Sequence, residues 1–181
     1  MKRFLDLVQQ RQSVRSYTNE PIEQEKLDRI FEAARLAPSA CNAQPWKIIA
    51  VDQPELRHQI ADAASNHVVG VNHFTKQAPV QLIIIEERAN LLSSFGSWSQ
   101  HKHYPHLDLG ILAAHIVLAA ADEGVGSCII GWFNEQQIKK ILQIPADKKV
   151  VLMILLGYSA EKLRKKRRKS LSEILSFNSY R

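Results

Sequence analysis

The sequence predicts a layered domain of α-helices and β-strands around a central sheet. Residues 23–36 place Leu27, Ile30, Phe31 and Ala34 at the i, i+3, i+4, i+7 spacing of a helix with one buried face. Val80–Ile85 is an apolar run of strand length flanked by Pro79 and Glu86. Segments of these two kinds alternate along the chain, the pattern of helices packed on a sheet. No internal repeat and no linker divides the sequence, so residues 1–181 are expected to form a single domain.

Taken in order, residues 2–10 read as a short helix with Phe4, Leu5 and Val8 on one face. The polar stretch RQSVRSYTNEP follows, closed by Pro21, and the helix 23–36 stops before Pro38. The loop APSACNAQPW leads into a strand, KIIAV. Residues 54–64 and 66–77 read as helices, and residues 80–85 as a strand. Residues 89–106 are irregular and rich in Ser, His and aromatic residues, as a loop or lid would be. A helix over 107–123 ends at Gly124. A strand over 127–132, a helix over 134–143 and a strand over 150–157 complete the pattern.

The helix LDLGILAAHIVLAAADEG is apolar on nearly every face and must be covered all round. A second copy of the chain laid against it would cover it, so an obligate homodimer is expected. The apolar run Ile111–Ala121 is interrupted by His115 and is short for a bilayer, so no membrane span is expected. MKRFLDLVQQRQS shows no apolar signal core, and two distant cysteines, Cys41 and Cys128, do not make a disulfide framework. A reducing cytoplasm is the expected compartment.

The net charge is +6, and the run from Lys162 to Lys169 alone carries +7, which leaves −1 for the rest of the chain. The protein is therefore basic in one segment only. That run lacks interleaved aromatic residues and no nucleic-acid module accompanies it, so nucleic acid is not an expected partner.

Several residues invite chemistry. His101, His103, His106 and Asp108 form H-x-H-x-x-H-x-D, but the spacing matches no established metal motif, and no metal is expected. Cys41 has no base to activate it. There is no G-x-G-x-x-G after a strand and no Walker A loop. In RQSVRSY, an extended backbone would put Arg11, Ser13 and Arg15 on one face, a clamp suited to phosphate or polyol. A solvated or salt-bridged pair has the same pattern.

RQSVRSY together with APSACNAQPW resembles the opening of the nitroreductase family, whose pattern is R-x-S-x-R-x-F/Y followed by A-P-S-x-x-N-x-Q-P-W. The resemblance continues through APVQLIII, DLGILAAHIVLAAADEGVGSCIIGWF and VVLMILLGYSAEKLRKKRRKSLSEIL. It implies an α+β fold, a central mostly antiparallel β-sheet flanked by helices, in an intertwined homodimer. It also implies FMN as cofactor, bound at the subunit interface, and NADH or NADPH as electron donor.

The resemblance implies site residues too. Arg11, Gln12, Ser13 and Arg15 match the FMN-binding segment, with Arg11 and Ser13 toward phosphate and ribityl and Arg15 toward the pyrimidine edge. Pro38, Ser39, Ala40 and Asn42 match the loop that reaches the flavin of the partner subunit. Cys128, Ile129, Ile130 and Gly131 match the strand end that backs the ring. Counting from GYSAE places the phosphate ligands on Lys166 and Arg168. Relatives have prolines in this stretch, where this chain has Leu163, Arg164, Lys165, Arg167 and Ser170. The other basic residues receive no assigned partner. Asn72 and Lys76 receive no role, because their spacing to Ala78 departs from the family pattern.

The implied activity is ping-pong reduction of nitroaromatics, quinones or similar small aromatic acceptors, with no catalytic side chain assigned. Phe95, Trp98 and Tyr104 of the 91–106 loop would wall the acceptor. Within the same resemblance, a specialised FMN-dependent dehydrogenase of a metabolite or peptide is the alternative.

Overall fold

The computed structural model describes residues 3–65, 70–90 and 102–180. Four strands form one sheet in the order β1-β2-β4-β3. They are β1 (Trp46–Val51), β2 (Val80–Glu86), β3 (Gly126–Ile130) and β4 (Lys149–Gly157). Every neighbouring pair is antiparallel, as the resemblance implies. The helices are α1 (Phe4–Gln10), α2 (Gln24–Arg35), α3 (Pro54–Ala64), α4 (Tyr104–Asp122), α5 (Glu135–Ile141) and α6 (Leu171–Ile174).

The two central strands read as apolar runs because both of their faces are covered. Side chains alternate across a strand. Leu82 and Ile84 of β2, with Ile154 and Leu156 of β4, enter one core with Ile30 of α2 and Leu112 of α4. Ile83 and Ile85, with Met153 and Leu155, enter a second core with Ile60 of α3 and Ile138 of α5. Burying each such side chain stabilises the fold by about 1.5–3 kcal/mol.

α4 begins at Tyr104, earlier than the sequence suggests, because Pro105 in its first turn presets the helical φ and has no N–H to leave unsatisfied. Its 19 residues are long and apolar enough to cross a bilayer. Here Leu109, Leu112, Ile116 and Ala120 are buried inside the fold, while Leu107, Gly110, Ile111 and Ala114 form an exposed stripe on the other side.

The helix expected over 66–77 is corrected in its described part. Gly70 and Asn72 take left-handed φ values of 70° and 63°, which an α-helix cannot contain. Only a short 3₁₀ turn, His73–Gln77, follows them. The strand expected to reach Trp132 ends at Ile130. α6, which the sequence reading omits, is started by a reciprocal cap between Ser170 and Glu173. Phe95, Trp98 and His101 lie outside the described residues.

Candidate functional site

The N-terminal clamp is positioned by a chain crossing. Residues 13–18 run past the edge of β3 and then past the end of β4. The Val14 N–H donates to the Ser127 carbonyl at 2.9 Å, and the Thr18 N–H to that of Tyr158 at 2.9 Å. Val14 and Tyr17 turn into the core, and the Tyr17 hydroxyl donates to the Val14 carbonyl at 2.9 Å. Burial pushes the Tyr17 phenol pKa far up, so it stays a neutral donor. Arg15 is left on the outer side, exposed.

Gly157 makes this crossing possible. A Cβ there would lie 2.5 Å from Pro79 Cδ and 2.8 Å from Tyr17 Cδ1. Both neighbours are rings held in the packing, so neither can swing away.

The basic run after β4 folds back along the clamp. Glu161 accepts the Arg15 N–H at 3.2 Å and pairs with the Arg164 guanidinium at 3.0 Å. The Gln12 amide donates to the Lys162 carbonyl at 3.2 Å and accepts the Arg164 N–H at 3.0 Å. Arg164 also donates to the Ser13 carbonyl, and the Lys166 ammonium to the Arg11 carbonyl. Arg164, without a partner in the sequence reading, is thus the tie between the two segments. Burial first, then the charges of Arg11 and Arg168, lower the Lys166 pKa. Among the described residues, none of Arg11, Arg15, Lys166 and Arg168 is in an ion pair.

Cys128 and Ile130 of β3 are buried, while Ile129 points outward and Gly131 follows the strand's end. The Cys128 thiol is pushed up by burial, against the opposing pull of Arg15 and Arg164. It is a packed thiol, not a thiolate. Within this chain a Cβ on Gly131 would meet nothing.

Two cavities flank the clamp. One of about 210 Å³ is lined by Arg11, Gln12, Ser127 and Glu161. The other, about 600 Å³, is lined by Arg15, Asn72, Phe74 and Gln77. Asn72 is therefore a site candidate that the spacing to Ala78 hid. Its left-handed turn carries its amide to the Ala64 and Trp132 carbonyls, at 3.1 and 3.0 Å. Lys76 instead pairs with Asp62 at 2.6 Å.

The Pro38–Asn42 loop stands apart. Ala40 donates its N–H to Asp108 of α4 at 3.0 Å, and the Cys41 carbonyl accepts from Asn90 at 3.0 Å. Among the described residues, no hydrogen bond or ion pair links this loop to Arg11–Arg15, Cys128–Gly131 or Lys166–Arg168. Cys41, Asn42 and Gln44 all have positive φ, near 50°. Such strain, on the order of 1–2 kcal/mol per residue, persists where surrounding structure enforces it.

The histidine-rich segment also divides. His103 and His106 meet Glu86, whereas Asp108 is turned to the Ala40 N–H.

The site thus offers unpaired cations, a polar clamp, a strand end open to solvent and a cavity of ligand size. Against known proteins, the sequence profile of the Nitroreductase family matches residues 8–158. The FMN reductase [NAD(P)H] of Bacillus subtilis is 30% identical over 86% of this chain and 66% of its own length. The crystal structure of a nitroreductase family protein from Clostridium novyi NT is 30% identical, with a TM-score of 0.78, covering 91% of this chain and 89% of that one. An FMN-dependent nitroreductase from Clostridium difficile R20291 is 28% identical, with a TM-score of 0.76, over 97% and 99% of the two chains. With its clamp, its strand end and its sheet all in the matched region, the chain belongs to the nitroreductase family.

Proposed function

We infer that this chain is an FMN-dependent NAD(P)H oxidoreductase that reduces nitroaromatics, quinones or similar flat acceptors in two alternating half-reactions. Family membership supports the enzyme class and the cofactor. The observation that carries the site assignment is the cluster of Arg11, Lys166 and Arg168. These cations are held together without a carboxylate partner among the described residues. Like charges so placed fit a dianionic phosphate, which the guanidinium and ammonium groups would hold by charge-assisted hydrogen bonds.

In this reading Lys166, Arg168 and Arg11 hold the FMN phosphate, and the Ser13 hydroxyl faces the ribityl chain. Both polar ends of the Gln12 amide are engaged with Lys162 and Arg164, so Gln12 acts by keeping the basic run in place. Arg15 and Asn72 border the larger cavity and orient the pyrimidine edge of the ring. Cys128, Ile129, Ile130 and Gly131 back the ring, with Gly131 leaving room for close approach. Bound FMN would supply the redox chemistry, the transfer of reducing equivalents between nicotinamide and acceptor. The protein contributes position and positive charge.

The Pro38, Ser39, Ala40 and Asn42 loop completes the site from a second protomer in this proposal. Two features support a homodimer. The Leu107–Ile111 stripe of α4 is uncovered, and the tail exposes Leu171, Ile174, Leu175 and Phe177. Two unpaired cysteines, Cys41 and Cys128, suit a reducing cytoplasm.

The test is the visible absorbance of the purified protein, titrated anaerobically with NADH and NADPH. Flavin bands that bleach with a nicotinamide and recover on adding a nitroaromatic or quinone are expected. A colourless protein that fails to take up FMN overturns the cofactor assignment. Flavin bands that no nicotinamide bleaches overturn the donor assignment and favour a specialised dehydrogenase.

A further inference from the structure

Outside this site, one group of metal-ligating side chains converges among the described residues: Glu86, His103 and His106. Their ligand atoms all lie within 4.8 Å of one another. His103 Nε2 is 2.8 Å from Glu86 Oε1, and His106 Nε2 is 3.0 Å from Glu86 Oε2. The two rings meet edge to face, with centroids 4.1 Å apart.

Two of these residues lie in regular elements and the third adjoins one. Glu86 ends the central strand β2, with Trp46 of β1 on one side and Lys149 of β4 on the other. His103 is the residue just before α4, and His106 lies in its first turn. Both imidazoles address the Glu86 carboxylate, one at each oxygen. Pro105 between them fixes the backbone of that turn. The side chains of His103 and His106 are about half exposed and that of Glu86 is 17% exposed, so an ion can reach all three.

We propose that Glu86, His103 and His106 bind one Zn²⁺ ion. The ligands are two imidazole Nε2 atoms and one carboxylate oxygen, with the remaining position open to water. Two neutral nitrogens and one carboxylate suit a borderline ion such as zinc. Calcium and magnesium seek six or more oxygen ligands, which this group cannot provide. Three protein ligands with an open fourth position is an established zinc geometry. With metal–ligand bonds of about 2.0–2.1 Å, neighbouring ligand atoms of a tetrahedron are separated by roughly 3.3 Å. The present separations of 2.8 and 3.0 Å run to different oxygens of the Glu86 carboxylate, and all the ligand atoms lie within 4.8 Å, so side-chain rotations of about an ångström bring one oxygen and both nitrogens to that spacing. In the hydrogen-bonded arrangement each Nε2–H donates to a carboxylate oxygen. In the metal-bound one each ring carries that proton on Nδ1 and offers its Nε2 lone pair.

The site shares no residue with the FMN clamp. Its place gives it a structural role. α4 also carries Asp108, which holds the Ala40 N–H of the strained Pro38–Asn42 loop. An ion tying the start of α4 to the end of β2 braces the helix end on which that loop rests.

Tag-free protein, with whatever flavin it retains, is stripped with a chelator, equilibrated with zinc chloride, desalted and assayed for metal by plasma mass spectrometry. About one zinc per protomer is expected, with a zinc-dependent rise in Tm. The His103→Ala/His106→Ala double variant is expected to retain none. Cys41→Ser, which removes the exposed thiol, is expected to retain as much as the parent. His106→Gln and Glu86→Gln, as milder changes, are each expected to weaken retention at least about tenfold. Substoichiometric zinc in the parent protein overturns the proposal. So does full retention by the double variant or by both milder ones. Zinc lost with Cys41→Ser alone places the ion on the thiol and also overturns it.

Discussion

Lys166 donates its ammonium to the backbone carbonyl of Arg11 and is thereby held between two residues of its own charge, Arg11 and Arg168. Burial first, and then these two like charges, disfavour Lys166 as a cation and lower its pKa. An arriving phosphate would reverse that.

Lys166→Ala and Arg168→Ala should therefore separate binding from stability. Each removes a charge-assisted contact of about 1.5–3 kcal/mol, so the FMN Kd should rise by roughly 10–100-fold. Fluorescence titration of the apoprotein with FMN measures this. The denaturant midpoint of the apoprotein should not fall, because each change also relieves repulsion. Unchanged FMN affinity in both variants would remove the phosphate from this cluster.

Two glycines near the site should behave oppositely. Gly157→Ala presses a methyl group on Pro79 and Tyr17 and should cost about 1–3 kcal/mol. Gly131→Ala meets open space within the chain and should stay within about 0.5 kcal/mol. Thermal denaturation of the two variants beside the parent decides it. Equal losses would mean that Gly157 is not a packing contact.

Ile111→Asp should break the proposed homodimer, since it puts a charge in the middle of the open stripe of α4. Light scattering after size exclusion should show a monomer that has also lost FMN, because the Pro38–Asn42 loop then has no second site to complete. A variant that remains dimeric and yellow would place the interface elsewhere.

Glu23 gives a pH-dependent test. The Tyr158 hydroxyl, then the backbone and Lys26, hold its carboxyl down to about 2. A carboxyl lowered in the folded state adds stability that is present above the ordinary carboxylate range and fades as the pH falls toward 2. Carboxyl NMR titration should find the Glu23 midpoint near 2 and, in Tyr158→Phe, well above it. A midpoint that Tyr158→Phe leaves in place would deny the hydroxyl its part.

What the sequence disclosed followed from how local each feature is. α2 was legible because one buried face imposes its period, and β2 because both faces are covered. Arg11, Ser13 and Arg15 share one short segment, in which Arg11 borders the smaller cavity and Arg15 the larger. Residues 70–77 misled because apolar spacing there mimics a helix that Gly70 and Asn72 interrupt by their φ values. The partnerships of Gln12 with Arg164, of Asn72 with the Arg15 cavity and of Glu86 with two histidines were not legible. Topology makes those contacts, and no residue pattern announces them. The α6 cap is written in the sequence as S-x-x-E, Ser170 to Glu173, directly after the basic run.

The return of the basic run to the clamp also closes a long loop of the chain. Gln12 and Arg164 are separated by 152 positions, and the sheet is complete at Gly157. The clasp joins segments far apart in the sequence, where loop closure costs more entropy than a local contact does. A small ligand spanning Arg11 and Lys166 would act there as a non-covalent staple, adding its binding free energy to the closure.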